Sequence, residues 1–293
     1  MLVFVEREEL KSAENQNIIT SFGKMVNKMT SRKSHNPSAH LATIHLPRFA
    51  CAVLYSNPMR YKRVLLKLSG EQLAGDFDNG IDPSLVGKIA EEIKQTLEVG
   101  TQIVLVVGGG NMVRGANLAG NGIKRVTADQ MGMLSGLINA MAVTDIFESK
   151  GISTRCLSNV FADQVAENYS YRRAIKHLEK GRVLIIAGGT GRPYFTHDTA
   201  AVALGLELDC EAVLKATKVD GVYDKDPSQH ADAKHLPEMS LDEAVSDPAI
   251  RVMDKAALGL AAEQKVRVVV FDLMKTGNLQ RVVNGEAVGT NLS

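Results

Sequence analysis

The sequence predicts an α/β protein, a three-layer αβα sandwich around a mainly parallel sheet. Three observations carry that reading. From Tyr61 onward, short runs rich in Val, Ile and Leu alternate with longer stretches of helical periodicity. The runs are apolar almost throughout rather than alternating with polar residues, as expected of strands covered on both faces. Glycine, serine, threonine and aspartate gather just past several of them, where open parallel sheets collect their ligands.

Taken in order, strands are expected at RVLLKL (63–68), QIVLVV (102–107), RVLIIA (182–187), EAVLKA (211–216) and RVVVFD (267–272). Helices are expected between them, over about 82–98, 127–149, 171–179, 198–206 and 254–264. Residues 1–58 differ from the rest: they carry Ser, Asn, His and Lys without a sustained period, and have no Asp or Glu between Asn15 and Gly70. They read as a poorly ordered extension ahead of one domain over 59–293. A targeting peptide is opposed by the three glutamates of MLVFVEREEL, and we prefer a true start at Met59. His35, His40 and His45 recur every five residues, which matches neither a helix face nor a metal-ligand spacing.

Composition narrows the chemistry. Of 293 residues, 45% are hydrophobic and 23% charged, ample for a large core. Lys plus Arg is 34 against 33 for Asp plus Glu, so no global field holds nucleic acid or an anionic membrane, and an anion must be gripped locally. Cys51, Cys156 and Cys210 are odd in number and form no CxxC pair, which suits a reducing cytoplasm. Apolar runs such as VLIIA fall far short of the roughly 20 residues a membrane helix needs.

Four loops carry the functional signal. Lys67, Leu68, Ser69 and Gly70 close the first strand, setting a fixed positive charge beside backbone N–H groups; a surface lysine before a turn reads the same way. The second strand runs into Gly108, Gly109 and Gly110, with Arg114 close behind: side chains vanish where backbone approaches an anion, and a guanidinium follows. This is neither a GxxxxGK loop nor GxGxxG. The third strand is followed by GGTGRPYFTHDTAA, Gly188 to Ala201. A helix cap near Asp198 explains part of it, and the glycines with Pro193, Tyr194 and Phe195 would suit a wall around a planar base and a sugar. The fourth strand gives KATKVDGVYDKDP, in which Lys215 mirrors Lys67 and Asp220, Asp224 and Asp226 occupy a long turn. The spacing and the glutamate of an EF-hand are missing there, and Tyr223 could flank a nucleotide base.

KLSGE, VVGGGNMVRG, TADQMGML, GGTGRPYFTHDTAA and KATKVDGVYDKDP, in this order and spacing, resemble the amino acid kinase family over about residues 60–293, and within it the uridylate kinase branch. The resemblance implies the amino acid kinase, or carbamate kinase-like, fold and transfer of the terminal phosphoryl group of ATP onto UMP. RVTADQMGML and DGVYDKDP set this branch apart from relatives that phosphorylate carboxylates, and Arg114 offers a partner for a phosphate acceptor. By position, Lys67, Leu68, Ser69, Gly70, Gly110, Arg114, Thr217, Tyr223 and Asp226 fall on the ATP side. Gly109, Asp129, Thr190, Gly191, Arg192, Pro193, Tyr194, Phe195, Thr196 and His197 fall on the UMP side. Asp129 would accept hydrogen bonds from the ribose hydroxyls; without the resemblance it reads as an exposed acid near a helix start.

Catalysis is expected from Lys67, Lys215, Asp198 and Arg114: the lysines flank the moving phosphoryl group and Asp198 holds both ammonium groups. Mg2+ is expected through the ATP phosphates, with no protein metal site, and no general base is needed because the attacking phosphate oxygen is already ionised. Asp254 resembles a further acid near the nucleotide. The family implies a homohexamer inhibited by UTP. GDFDNG stands at 75–80 where relatives often carry GTEGFG, a segment linked to GTP activation, which puts that activation in doubt; His197 replaces a frequent threonine, a change a backbone contact tolerates. Two other readings stand beside this one: a sister kinase acting on a carboxylate or carbamate, and a non-catalytic uridine nucleotide sensor, which would have no need of two lysines and Asp198 around a transferring group.

Overall fold

The computed structural model of the chain describes residues 61–77, 79–113, 118 and 122–293. The extension expected over 1–58 and the start at Met59 lie outside the described residues, and so does Arg114. The strands are β1 (Arg63–Leu68), β2 (Gln102–Val107), β3 (Thr154–Ser158), β4 (Glu167–Asn168), β5 (Val183–Ala187), β6 (Ala212–Thr217), β7 (Val222–Tyr223), β8 (His235–Leu236), β9 (Glu238–Met239), β10 (Val268–Asp272) and β11 (Thr290–Leu292). The helices are α1 (Gly70–Leu73), α2 (Pro83–Glu98), α3 (Arg125–Ser149), α4 (Tyr171–Glu179), α5 (His197–Glu207), α6 (Leu241–Ser246), α7 (Lys255–Gln264) and α8 (Asn278–Val283). All five expected strands and all five expected helices are present, with ends shifted by at most two residues.

Among the described residues, nine strands form one sheet in the order β4-β3-β5-β2-β1-β6-β10-β11-β9. Every neighbouring pair is parallel except β10 and β11. The strands not expected from sequence lie toward the edges. β3 reads TRCLS, half-buried at Arg155 and Cys156, because it sits one strand from an edge and tolerates polar side chains that a central strand would not. β7 and β8 form a separate antiparallel hairpin.

Alternation along the central strands divides the core into two layers. Val64, Leu66 and Leu68 of β1 and Ile103, Leu105 and Val107 of β2 face α2, α3 and α8. Leu65, Val104, Val106 and Val213 face α4, α5, α6 and α7. Strand order places the ligand crevice. β1 has β2 on one side and β6 on the other, so the chain winds outward from β1 in both directions, and the crevice of such a sheet opens at the carboxyl ends beside that reversal. Both strand-end lysines lie there.

Candidate active site

Lys67 and Lys215 are direct register partners on β1 and β6. Side chains two apart share a face, so Lys67 follows Leu65 and Lys215 follows Val213 to the α5 side of the sheet. There they meet Asp198, in the first turn of α5: Lys67 Nζ is 2.8 Å from Oδ1 and Lys215 Nζ is 2.7 Å from Oδ2. Lys67 also donates to Ser69 Oγ at 3.1 Å, and Lys215 to the Val252 carbonyl. Within the bridge itself two ammonium groups meet one carboxylate, an excess of one positive charge at a strand tip where Lys67 is only 7% exposed and Asp254 acts on Lys215 from farther off. Such a charge, short of water, is set to hold an anion.

Burial would raise the Asp198 carboxyl, but the two ammonium groups outweigh it and hold Asp198 below the ordinary carboxylate range. Lys215 moves down, through burial first and the nearby Lys67 charge, with Asp198 opposing both. Thr196 fixes the start of α5, its hydroxyl accepting from the N–H groups of Asp198 (2.9 Å) and Thr199 (3.4 Å). Asp254 caps α7 through Ala257 N–H at 2.9 Å and accepts the Thr196 and Thr199 hydroxyls, the latter at 3.1 Å. It braces the helix that carries Asp198.

Gly70 lets the lysine loop lie directly on the glycine loop. A Cβ there would stand 2.5 Å from Asn111 Oδ1, 2.6 Å from the Gly110 nitrogen and 2.7 Å from the Gly108 oxygen. Gly109 is as tightly placed against α3: its Cβ would be 2.5 Å from Ser135 Cβ and 2.6 Å from the Gly132 oxygen. Ser69, Gly70, Gly109 and Gly110 are thus gathered beside Lys67.

On the other flank, Asp129 and the Thr190–His197 segment meet. Tyr194, at φ 70° although not glycine, donates its backbone N–H to Asp129 Oδ2 at 2.9 Å. Arg125, one turn before Asp129, donates to the same carboxylate at 2.8 Å and 2.9 Å and lies 5.5 Å over the Tyr194 ring. A left-handed tyrosine costs about 1–3 kcal/mol and persists where its surroundings hold it, commonly at ligand sites. Tyr194 and Phe195 remain 67% and 53% exposed, while Thr190 closes a small turn on the Arg192 N–H at 3.2 Å. Arg125 is a residue the motifs did not single out, although its i, i+4 spacing to Asp129 marks the pair. His197 Nε2 is buried without a hydrogen-bond partner among the described residues, and burial, then the Lys67 charge, lowers the ring to about 4, so the imidazole is neutral at pH 7.

The remaining ATP-side candidates are not drawn into this cluster by direct contact. Thr217 Oγ1 donates to the Val219 and Phe271 carbonyls; Tyr223 bonds Asp220 and packs edge-on against His235 at 5.3 Å; Asp226 caps Ser228 at 2.9 Å. Thr217 ends β6, Tyr223 ends β7, and Asp226 lies in the turn between β7 and β8. Burial pushes the thiols of Cys156 and Cys210 up to about 11 and about 12, far from a thiolate nucleophile. Among the described residues no group of three or more His, Cys, Asp or Glu is placed to hold a metal ion, and no helix is long and apolar enough to cross a membrane.

The model of the amino acid kinase family matches residues 62–272. A uridylate kinase of Xanthomonas euvesicatoria pv. vesicatoria is 46% identical over 232 residues, 79% of this chain and 96% of the relative. Among solved structures, the UMP kinase of Bacillus anthracis superposes with TM-score 0.76 at 36% identity, over 80% of this chain and 96% of that one. The UMP kinase of Ureaplasma parvum gives TM-score 0.74 at 30% identity, over 80% of this chain and all (100%) of that one. The expected fold is therefore present. The chain belongs to the amino acid kinase family.

Proposed function

We infer that this chain is a uridylate kinase, transferring the terminal phosphoryl group of ATP to the phosphate of UMP. The observation that carries the chemistry is the Lys67–Asp198–Lys215 bridge, two ammonium groups on adjacent strand tips held by one carboxylate. The similarity to uridylate kinases over four fifths of the chain supports the choice of acceptor. In-line transfer between two phosphates needs alignment and neutralised charge, with no covalent protein intermediate. Lys67 and Lys215 supply the charge, and Asp198 prevents their mutual repulsion from splaying them. Gly70 and Gly110 offer backbone to the ATP phosphates. Gly109 and the Thr190–His197 segment enclose UMP, and Arg114, outside the described residues, is assigned to a phosphate by the family resemblance alone. Asp129 already accepts from two N–H groups, the Arg125 Nε–H shared between both oxygens and the Tyr194 backbone N–H, so a ribose hydroxyl would share or displace the Arg125 contact.

Among the described residues Asp198 is committed to two cations, and Mg2+ is proposed to arrive on the ATP phosphates as part of the substrate. The family resemblance extends the proposal to a cytoplasmic homohexamer inhibited by UTP, in which residues 59–293 form the catalytic domain; GTP activation is not carried over, because GDFDNG at 75–80 departs from the segment linked to it. The test is ADP release with UMP, CMP and acetylglutamate in turn, with and without Mg2+. Turnover confined to UMP is expected. Turnover with acetylglutamate instead would make this a carboxylate kinase, and binding of uridine nucleotides without turnover would make it a sensor.

A further inference from the structure

We propose that Asn111 and Asn139 are positioning residues for phosphoryl transfer, acting through the backbone of the glycine loop. The two side chains form a closed amide pair inside an otherwise apolar layer. Asn139, fully buried (0% exposed) on α3, donates from Nδ2 to Asn111 Oδ1 at 2.6 Å and to the Gly108 carbonyl at 2.7 Å. Asn111, 5% exposed, returns a bond from Nδ2 to Asn139 Oδ1 at 3.0 Å and spends its second N–H on the Gly80 carbonyl. Every amide N–H of the pair is used, and both amide oxygens accept. Turning either amide over would set oxygen against oxygen, so the arrangement admits one orientation.

The pair sits among buried hydrophobics, Leu137, Ala140, Val143 and Phe147 of the same helix, and it also supplies donors to the Gly108 and Gly80 carbonyls. Removing one member of such a unit leaves the other buried without its bond, which costs more than replacing both. What the amides fix is geometry. The Gly108 carbonyl is pinned to α3, Asn111 is pinned to the segment before α2 by its side chain and by its carbonyl, which accepts Gly80 N–H at 3.2 Å. Gly70 then rests on both, with no room for a Cβ. The height of the Gly108–Gly110 backbone above Lys67 is therefore set by this pair, and α3 begins one turn before Asp129 on the acceptor side. A shift of about 1 Å in such a frame is enough to lower turnover about 100-fold.

The inference rests on the phosphoryl-transfer reading, which the parent enzyme tests by itself: an inactive parent defeats that reading, whereas an active parent leaves this one open to its own test. The test compares Asn139→Leu, Asn111→Leu, the double variant and Asn139→Asp with the parent, reading kcat, both KM values and Tm. Asn139→Leu takes the donor from the Gly108 carbonyl and the partner from the Asn111 amide, so Tm should fall while the fold is kept; both KM values should stay within about threefold and kcat should fall at least about tenfold. The double variant should lose no more than the worse single, since the two act as one unit. In Asn139→Asp only a protonated carboxyl can donate to the Gly108 carbonyl, so its kcat relative to the parent should rise as pH falls from about 8 to about 6. A folded Asn139→Leu with kcat within about twofold of the parent overturns the proposal, and so does a kcat ratio for Asn139→Asp that is flat with pH. If the variants fail to fold, the pair is a folding element and the proposal falls as well.

Discussion

At the residue scale, the chemistry condenses onto one carboxylate and two ammonium groups, and their burial decides what substitutions do. Lys67→Met leaves Asp198 paired with Lys215, so the loss of fold stability should be small beside the loss of turnover. The expected fall in kcat is about 100-fold or more, measured by ADP release at saturating nucleotides, and near-normal turnover would refute the clamp. Asp198→Asn is the harsher change: it leaves two ammonium groups side by side, their side chains 9% and 11% exposed, without the carboxylate that bridges them. Removing one partner from a buried ionic group costs about 3–5 kcal/mol, so denaturant unfolding should show Asp198→Asn well below Lys67→Met. Both lysines are visible in the sequence as residues at the ends of apolar runs. Their register across β1 and β6 is not, because it depends on residues 148 positions apart in the chain, Lys67 and Lys215, being brought together by everything folded between them.

At the element scale, α5 matters most, since its first turn carries Asp198 and its cap is tied to α7 through Asp254. Asp254→Ala removes the cap of α7 and two threonine hydroxyl contacts at once. A loss of about 1–2 kcal/mol is expected, together with reduced kcat, because the carboxylate between the lysines loses its brace. Turnover equal to the parent at unchanged stability would remove the brace from the mechanism. The glycine loop offers the opposite experiment. Gly109→Ala has no space toward α3, where Ser135 and Gly132 already touch the missing side chain, so the loop must lift and turnover should collapse while the sheet survives. Circular dichroism beside the kinetic assay separates these effects. The helices and central strands were legible because periods of 3.6 and of continuous apolarity differ plainly. β3, β4, β9 and β11 were not, because short strands near an edge owe their pairing to neighbours rather than to their own composition.

At the scale of the whole molecule, the buried His197 ties stability to pH. Its ring titrates near 4 in the folded state against 6.5 in the unfolded chain, so between those values the unfolded state binds more protons and stability falls as pH is lowered. The contribution is fully present above about pH 6.5 and is lost at up to about 1.4 kcal/mol per pH unit on the way to about pH 4. His197→Thr should flatten that part of the profile of unfolding midpoint against pH; an unchanged slope would place the titration elsewhere. The sequence by itself determined the fold class, the two lysines, the glycine loops and the family, because these depend on local composition and on motifs in fixed order. Only the tertiary structure decided that both lysines close on Asp198, that Asp129 grips Tyr194 and Arg125, and that Asn111 and Asn139 pair beneath the glycine loop. Contacts between residues far apart in the chain have no local signature, since they exist only once the sheet has fixed its order.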